Sequence, residues 1–168
     1  DVDKIVESIP SEERKKLWGM GIKIGRYHIY LPKMFKPKAV KFRISLWKIF
    51  YNLSNKNKIP KSGLNFLVSN TLEKKFLMLC GFERFRELFV RIDILEKLFL
   101  KILENTKDRK FKINSEMMNL LGCSKENFFK LMAYMNYKKD KEADTYIFRG
   151  ENKKKGKIIR FDKKENPF

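Results

Sequence analysis

The chain has 168 residues, of which 43% are apolar and 15 are phenylalanine, so it can bury a core in one domain or two small ones. Its 39 lysines and arginines exceed its 20 acidic residues, and the net charge of +19 favours a polyanionic partner. No apolar run approaches the roughly 18 to 20 residues that a membrane span needs, and the polar, acidic N-terminus is unlike a signal peptide. We therefore expect a cytoplasmic protein with no membrane partner. Because the chain opens at Asp1 without a methionine, we also expect it to be part of a longer protein.

Metal ligands are sparse in this sequence. Cys80 and Cys123 stand apart from each other, and the chain has a single histidine, whereas a zinc site needs several ligands at close spacing. Free cysteine usually behaves as a small hydrophobic residue. We therefore expect two reduced, buried thiols and no metal or other cofactor in this chain.

The most unusual feature is a stretch from residue 14 to residue 72, called here the basic stretch, which has 14 basic residues and no acidic one. Aromatic residues run through it, among them Trp18, Tyr27 and Trp47. Neutralising phosphates releases counterions and gives affinity without sequence preference, so this stretch predicts contact with nucleic acid. The alternative is a Lys-rich composition in which lysine fills solvated positions, which explains many lysines but not the missing acids.

The N-terminal third predicts helix and then strand. Residues 1–20 fit one helix or two short ones, and the segment GIKIGRYHIYLP that follows has the alternation of a strand. Its phase changes at Gly25, which predicts a bulge or a tight bend. Arg26, His28 and Tyr30 then share one face. On that face His28 either stacks on a base or binds phosphate, or it is simply a polar surface residue.

Pro37 predicts the start of a helix that runs to about Leu53. One apolar strip on this helix is formed by Val40, Ile44 and Trp47. We expect other apolar residues to widen it into a broad buried face: Phe42, Leu46, Ile49, Phe50 and Leu53. A polar stripe either tracks a phosphate backbone or is the solvated side: Lys38, Lys41, Ser45, Lys48 and Asn52.

The middle of the chain predicts connections. Residues 54–63 have loop composition and are the expected hinge. The segment TLEKKFLMLC predicts a short helix or strand closed by Gly81, and FRELFVRID predicts a strand that enters a helix capped by Asp93. That helix, DILEKLFLKILENT, has apolar residues at helical spacing.

The last part has the element order of a winged helix. The segment FKI predicts a strand, Asn114 or Ser115 starts a second helix, Gly122 ends it, and Ser124 starts a third. The segments DTYIFRG and KIIRFD alternate like a β-hairpin with the basic tip GENKKKG. If this unit binds nucleic acid, we expect six lysines to face a duplex: Lys125, Lys130 and the wing residues Lys153, Lys154, Lys155 and Lys157. The alternative is that this unit packs against, or docks on, a protein.

These patterns predict an α+β fold, mostly helical, in which a C-terminal winged-helix-like unit (helix, strand, helix-turn-helix, β-hairpin) packs on an N-terminal helix/strand unit. We divide the chain into a basic aromatic subdomain (1–60), a connecting segment (61–90) and a winged-helix-like subdomain (91–168). The predicted nucleic-acid-binding residues are Lys23, Arg26, His28, Lys33, Lys36, Lys38, Lys41, Arg43, Lys48, Lys153, Lys154, Lys155 and Lys157.

The sequence has none of the common catalytic motifs. It lacks the GxxxxGK[ST] phosphate loop, GxGxxG, GxSxG and HExxH. We therefore do not expect this chain to be an enzyme by itself.

Three segments, in this order, carry a family resemblance: LWGMGIKIGRYHIYLPKMFKPKAVKFRISLWKIF, GFERFRELFVRIDILEKL and FKINSEMMNLLGCSKENFFKLMAYMNYKK. Over roughly residues 8–139 the chain resembles the C-terminal region of bacterial DEAD/DExH-type superfamily-two helicases, in particular the alphaproteobacterial proteins related to the mitochondrial RNA-degradosome helicase. The resemblance implies an accessory region of an ATP-dependent RNA helicase whose ATP and magnesium are bound by motor domains outside this chain. RNA is the implied partner.

Two other functions stay open at this point. One is a protein-docking module that anchors the helicase to a ribonuclease or a ribosomal protein. The other is a free-standing winged-helix regulator that binds DNA.

Overall fold

The structure is a computed structural model, and it describes residues 2–54, 57–70, 73–140 and 144–148. In these residues the chain is α+β, with antiparallel sheets and short helices. The coarse fold class predicted from the sequence is therefore confirmed.

The N-terminal part contains two short helices, α1 (Val2–Glu7) and α2 (Ser11–Gly19), and a two-stranded hairpin of β1 (Lys23–Ile24) and β2 (Ile29–Tyr30). A 3₁₀ turn (Pro32–Phe35) leads into helix α3 (Pro37–Phe50). Proline occupies the first turn of both, where its missing N–H costs nothing. Helix α3 begins where the sequence predicts and ends a few residues before Leu53.

The middle part contains more regular structure than the sequence predicts. It has β3 (Phe66–Val68), α4 (Lys74–Leu79), β4 (Phe82–Phe85) and β5 (Leu88–Arg91), and the strands form an antiparallel sheet in the order β3-β5-β4. The strand predicted in FRELFVRID is present as β5 and enters a helix as expected, but β4, which ends at Phe85, was not predicted. The chain reverses at Arg86, which has a positive φ of 55°, so β4 and β5 form a hairpin. The helix that follows is preceded by Arg91 and not by Asp93.

The C-terminal part has the three predicted helices, α5 (Ile92–Glu104), α6 (Ser115–Leu121) and α7 (Lys125–Tyr134). The side chains of Asn114 and Ser124 accept hydrogen bonds from the backbone at the starts of α6 and α7, and Gly122 ends α6 with a φ of 67°. These local signals were predicted correctly.

A four-stranded antiparallel sheet completes this part, in the order β6-β7-β9-β8. Its strands are β6 (Thr106–Lys107), β7 (Lys110–Lys112), β8 (Tyr137–Lys139) and β9 (Thr145–Phe148). Strand β9 lies in the predicted segment DTYIFRG, but its partners here are β7 and β8. The predicted second strand, KIIRFD, and the basic tip lie outside the described residues.

Two hydrophobic cores lie on opposite faces of the β3-β5-β4 sheet. Alternation along β5 sends Leu88 and Val90 into the main core, which α5, α6 and α7 complete, and sends Phe89 into a second core. The second core also contains side chains of α3, α4 and β4: Val40, Ile44, Trp47, Phe76, Leu77, Cys80 and Phe82. The segment predicted as a connection thus contributes to both cores.

Helix α3 buries less than the sequence predicts. Its strip of Val40, Ile44 and Trp47 is buried, but Phe42, Ile49 and Phe50 are 66%, 77% and 59% exposed. The expected broad buried face is therefore wrong. The second core covers only one side of the helix, and these three side chains lie away from it.

Candidate nucleic-acid interface

The tight turn between β1 and β2 wraps around the carboxylate of Glu96 on α5. The N–H of Gly25 donates to the carbonyl of His28 at 2.8 Å and closes the turn. The N–H of Arg26 then donates to Glu96 Oε2 at 2.8 Å, and the N–H of Tyr27 donates to Glu96 Oε1 at 3.1 Å. The turn predicted at Gly25 therefore exists, and it holds an anionic side chain of this same chain.

His28 completes the binding of that carboxylate. Its Nδ1 lies 2.8 Å from Glu96 Oε1, and its Nε2 lies 3.3 Å from Glu83 Oε2 on β4. Burial by itself would lower the pKa of His28, but the hydrogen bonds and charges of Glu83 and Glu96 outweigh it and raise the pKa to about 9. Burial would likewise raise the pKa of both carboxyls, yet the bonds with His28 bring the pKa of each below its ordinary value. At neutral pH this cluster is an imidazolium between two carboxylates.

These contacts give His28 a structural role that joins the β1–β2 hairpin to β4 and α5. Both ring nitrogens face carboxylates, so neither points to a phosphate in this conformation. The predicted contact of His28 with nucleic acid stays a prediction that this geometry does not favour.

Arg43 also makes an internal contact. Its Nη2 donates to the carbonyl of Leu79 at the end of α4 and lies 3.5 Å from the carbonyl of Met34. Burial lowers the pKa of Arg43. The guanidinium therefore satisfies a helix end in the second core, as cations near helix C-termini do.

The lysines of the 3₁₀ turn and the start of α3 face solvent. Four of them lie within nine residues and all are exposed: Lys33, Lys36, Lys38 and Lys41. Among the side chains that the structure describes, no carboxylate forms an ion pair with any of the four. Lys48, on the same helix, is half-buried, and Lys23 is exposed on β1. We call the four exposed lysines the lysine face.

Two of the lysines predicted to face a duplex in the C-terminal unit are described, and both lie near acidic side chains. Lys130 pairs with Glu126 at 2.7 Å, and Lys125 lies 3.8 Å from Asp144 and over the ring of Phe129. Lys153, Lys154, Lys155 and Lys157 lie outside the described residues.

Sequence reasoning missed Glu83 and Glu96. One signal for Glu96 was available, because it lies between Leu95 and Leu98 on the apolar side of α5, and an acid at a core position needs a partner. Its partners are 68 to 70 residues away in the chain, so no local pattern identifies them.

Cys80 is buried and Cys123 half-buried, both are free, and burial raises the pKa of each thiol to about 11. Within the described residues, no helix is long and apolar enough to cross a bilayer, and no three histidine, cysteine or acidic side chains are grouped to hold a metal.

Comparisons with protein-family models, with curated proteins and with solved structures find no match to this chain.

The charged cluster around His28 predicts that stability falls as pH rises from about 6.5 to about 9. The pKa of His28 is about 9 in the folded chain and about 6.5 in the unfolded one, so its stabilisation is complete below about pH 6.5 and is lost as pH rises through about 9. The ring is partly open to water, so we expect a loss of about 1 kcal/mol in the free energy of unfolding. Urea unfolding at several pH values measures it. His28→Gln should abolish the decline in this window, and an equal decline in that variant would assign it to other groups.

The close approach at Gly25 predicts a specific intolerance. A Cβ on Gly25 would lie 2.4 Å from Cδ of Glu96, so Gly25→Ala must displace the buried carboxylate. We expect a loss of about 2 to 3 kcal/mol in the free energy of unfolding. Gly19→Ala is the matched control, because its Cβ would meet nothing within 4 Å, and it should be neutral or slightly stabilising. Thermal unfolding of the two variants compares them, and equal stability of both would contradict the role of Gly25.

Proposed function

We propose that this chain is an RNA-binding accessory region of an ATP-dependent helicase, and that it guides a single strand to motor domains outside this chain. The observation that carries the proposal is the lysine face, Lys33, Lys36, Lys38 and Lys41, which is exposed and has no acidic partner among the described residues. Such a surface attracts a polyanion because binding releases counterions from phosphates. The assignment to a helicase that uses ATP and magnesium is based on the family resemblance of the three sequence segments.

Exposed apolar side chains adjoin the lysine face. Helical geometry places Phe42 and Ile49 on the same outward side of α3 as Lys38 and Ser45. Exposed aromatic rings among cations are typical of surfaces that bind single strands, because every base offers a face for stacking. This arrangement supports contact with a single strand in preference to a duplex.

The winged-helix identity of the C-terminal unit is part of the same proposal. Its support is the succession of α5, β7, α6 and α7, with Gly122 in the turn between α6 and α7. In this proposal the unit packs against the motor or the strand, and its helix α7 does not read bases, because Lys125 and Lys130 already have acidic neighbours.

Salt dependence tests the proposal. The logarithm of the affinity for a single-stranded RNA should fall linearly with the logarithm of salt concentration, with a slope of about −0.7 for each phosphate contacted. The variant Lys36→Gln, Lys38→Gln, Lys41→Gln should reduce the steepness of this slope by about 2 and weaken binding by about a hundredfold near 0.1 M salt. Fluorescence anisotropy measures both quantities.

A variant with the same charge change supplies the control. Lys97, Lys112 and Lys138 are exposed and lie outside the basic stretch, so their replacement by Gln should change the slope little. Equal effects of the two variants, or a slope near zero for the unaltered chain, would overturn the proposal.

A second candidate function is protein docking, favoured by the exposure of Phe42, Ile49 and Phe50 on α3. If α3 docks on a protein, Ile49→Glu should remove a stoichiometric partner that survives nuclease treatment during purification. Leu100→Glu is the control, since Leu100 on α5 is also more than half exposed. Loss of the partner in both variants, or in neither, would reject docking through α3.

A further inference from the structure

A cleft with two lobes opens between the β1–β2 turn, helix α5 and the C-terminal sheet. The larger lobe has a volume of about 430 Å³ and the smaller about 300 Å³. Both lobes are lined by the same four aromatic side chains: Tyr27, Phe99, Tyr137 and Phe148. The volumes are in the range of pockets that hold small molecules. We call this site the aromatic cleft.

Two of its rings are open to a ligand. Tyr27 and Phe148 are 38% and 39% exposed, although each has a ring neighbour. The ring centroids of Tyr27 and Phe99 lie 4.2 Å apart, and those of Tyr137 and Phe148 lie 5.2 Å apart. These neighbours hold the exposed rings in place, so a ligand that stacks on them need not order them first.

Two arginines line the larger lobe, Arg26 from the β1–β2 turn and Arg109 from the β6–β7 turn. The Nε of Arg26 donates to the hydroxyl of Tyr27 at 3.2 Å, which holds the guanidinium beside the ring. Neither arginine has an ion-pair partner in the part of the chain that the structure describes. Guanidinium groups bind phosphate in two-point contacts, so they suit an anionic ligand.

The backbone of Arg109 is strained. Asp108 and Arg109 connect β6 to β7 in a two-residue turn, with positive φ values of 50° and 63°. Glycine is the preferred residue at the second position of such a turn, and another residue there costs about 1 kcal/mol. A long cation at this position, in the wall of a cleft, points to a function for its side chain.

We propose that the aromatic cleft binds one unstacked base of a single-stranded nucleic acid, while Arg26 and Arg109 contact the phosphates beside that base. This inference rests on the proposed function and names a pocket for it. A planar ring between exposed aromatic faces and two cations of the same wall match the two parts of a nucleotide, base and phosphate. Because the Glu96 carboxylate fixes the β1–β2 turn, it also positions Tyr27 and Arg26 at the cleft.

The experiment compares two strands of equal length, a short oligonucleotide and an oligomer of abasic spacers with the same phosphates. The full chain should bind the strand with bases about 5- to 100-fold more tightly than the abasic strand, which corresponds to stacking of one base. Tyr27→Leu and Phe148→Leu should each reduce this preference. Phe148→Leu, which keeps the hydrogen bond between Arg26 and Tyr27, should leave the affinity for the abasic strand unchanged.

Arg109→Gly separates the phosphate contact from the fold. It should weaken binding of both strands about equally, and its thermal stability should be unchanged or higher, because glycine relieves the positive φ. Unchanged binding of both strands would remove Arg109 from the site.

The outcomes distinguish the two proposals. If the unaltered chain binds neither strand, the proposed function fails and the cleft with it. If it binds both strands equally and the lysine-face variant still weakens binding, the proposed function stands and the base site is overturned. A cleft that takes a peptide segment would give this second result.

Discussion

The packing of the β1–β2 hairpin against α5 depends on the carboxylate of Glu96. Two backbone N–H groups of the β1–β2 turn and the ring of His28 all bind it, and a side chain larger than hydrogen at Gly25 would displace it. A buried carboxylate is costly unless charge and hydrogen bonds compensate it, and here both are supplied by the basic stretch. The interaction therefore joins the basic stretch to α5 in the main core, and it places Arg26 and Tyr27 beside the aromatic cleft.

Some cations of the basic stretch face inward and others face solvent. His28 and Arg43 face inward, toward carboxylates and a helix end, and both have a shifted pKa. The lysine face points outward and has no acidic partner among the described residues. The guanidinium of Arg43 offers several donors in a fixed plane, which suits buried carbonyl groups, whereas a lysine is a hydrated point charge, which suits an exposed surface. The basic stretch has no acidic residue of its own, and the carboxylates that pair with His28 belong to Glu83 and Glu96, later in the chain.

Local sequence signals were enough to predict the helices of this fold. The features that were not predicted depend on contacts between residues far apart in the chain. Asn114, Gly122 and Ser124 act on their own neighbours, so α6 and α7 could be placed from the sequence. The β4–β5 hairpin was missed because Arg86 adopts a positive φ without glycine nearby, while its guanidinium lies 4.6 Å from the ring of Tyr134 on α7. The candidate site was predicted as a basic surface. The buried contacts of His28 with Glu83 and Glu96 were not predicted, because these partners are 55 and 68 residues away in the chain.

Chemical labelling of lysines in the presence and absence of single-stranded RNA reports the contacted side chains themselves, so it tests whether the lysine face binds the strand. We expect RNA to protect the lysine face, Lys33, Lys36, Lys38 and Lys41, and to leave the labelling of Lys97, Lys112 and Lys138 unchanged. Protection spread evenly over both sets, or absent from the lysine face, would contradict this expectation.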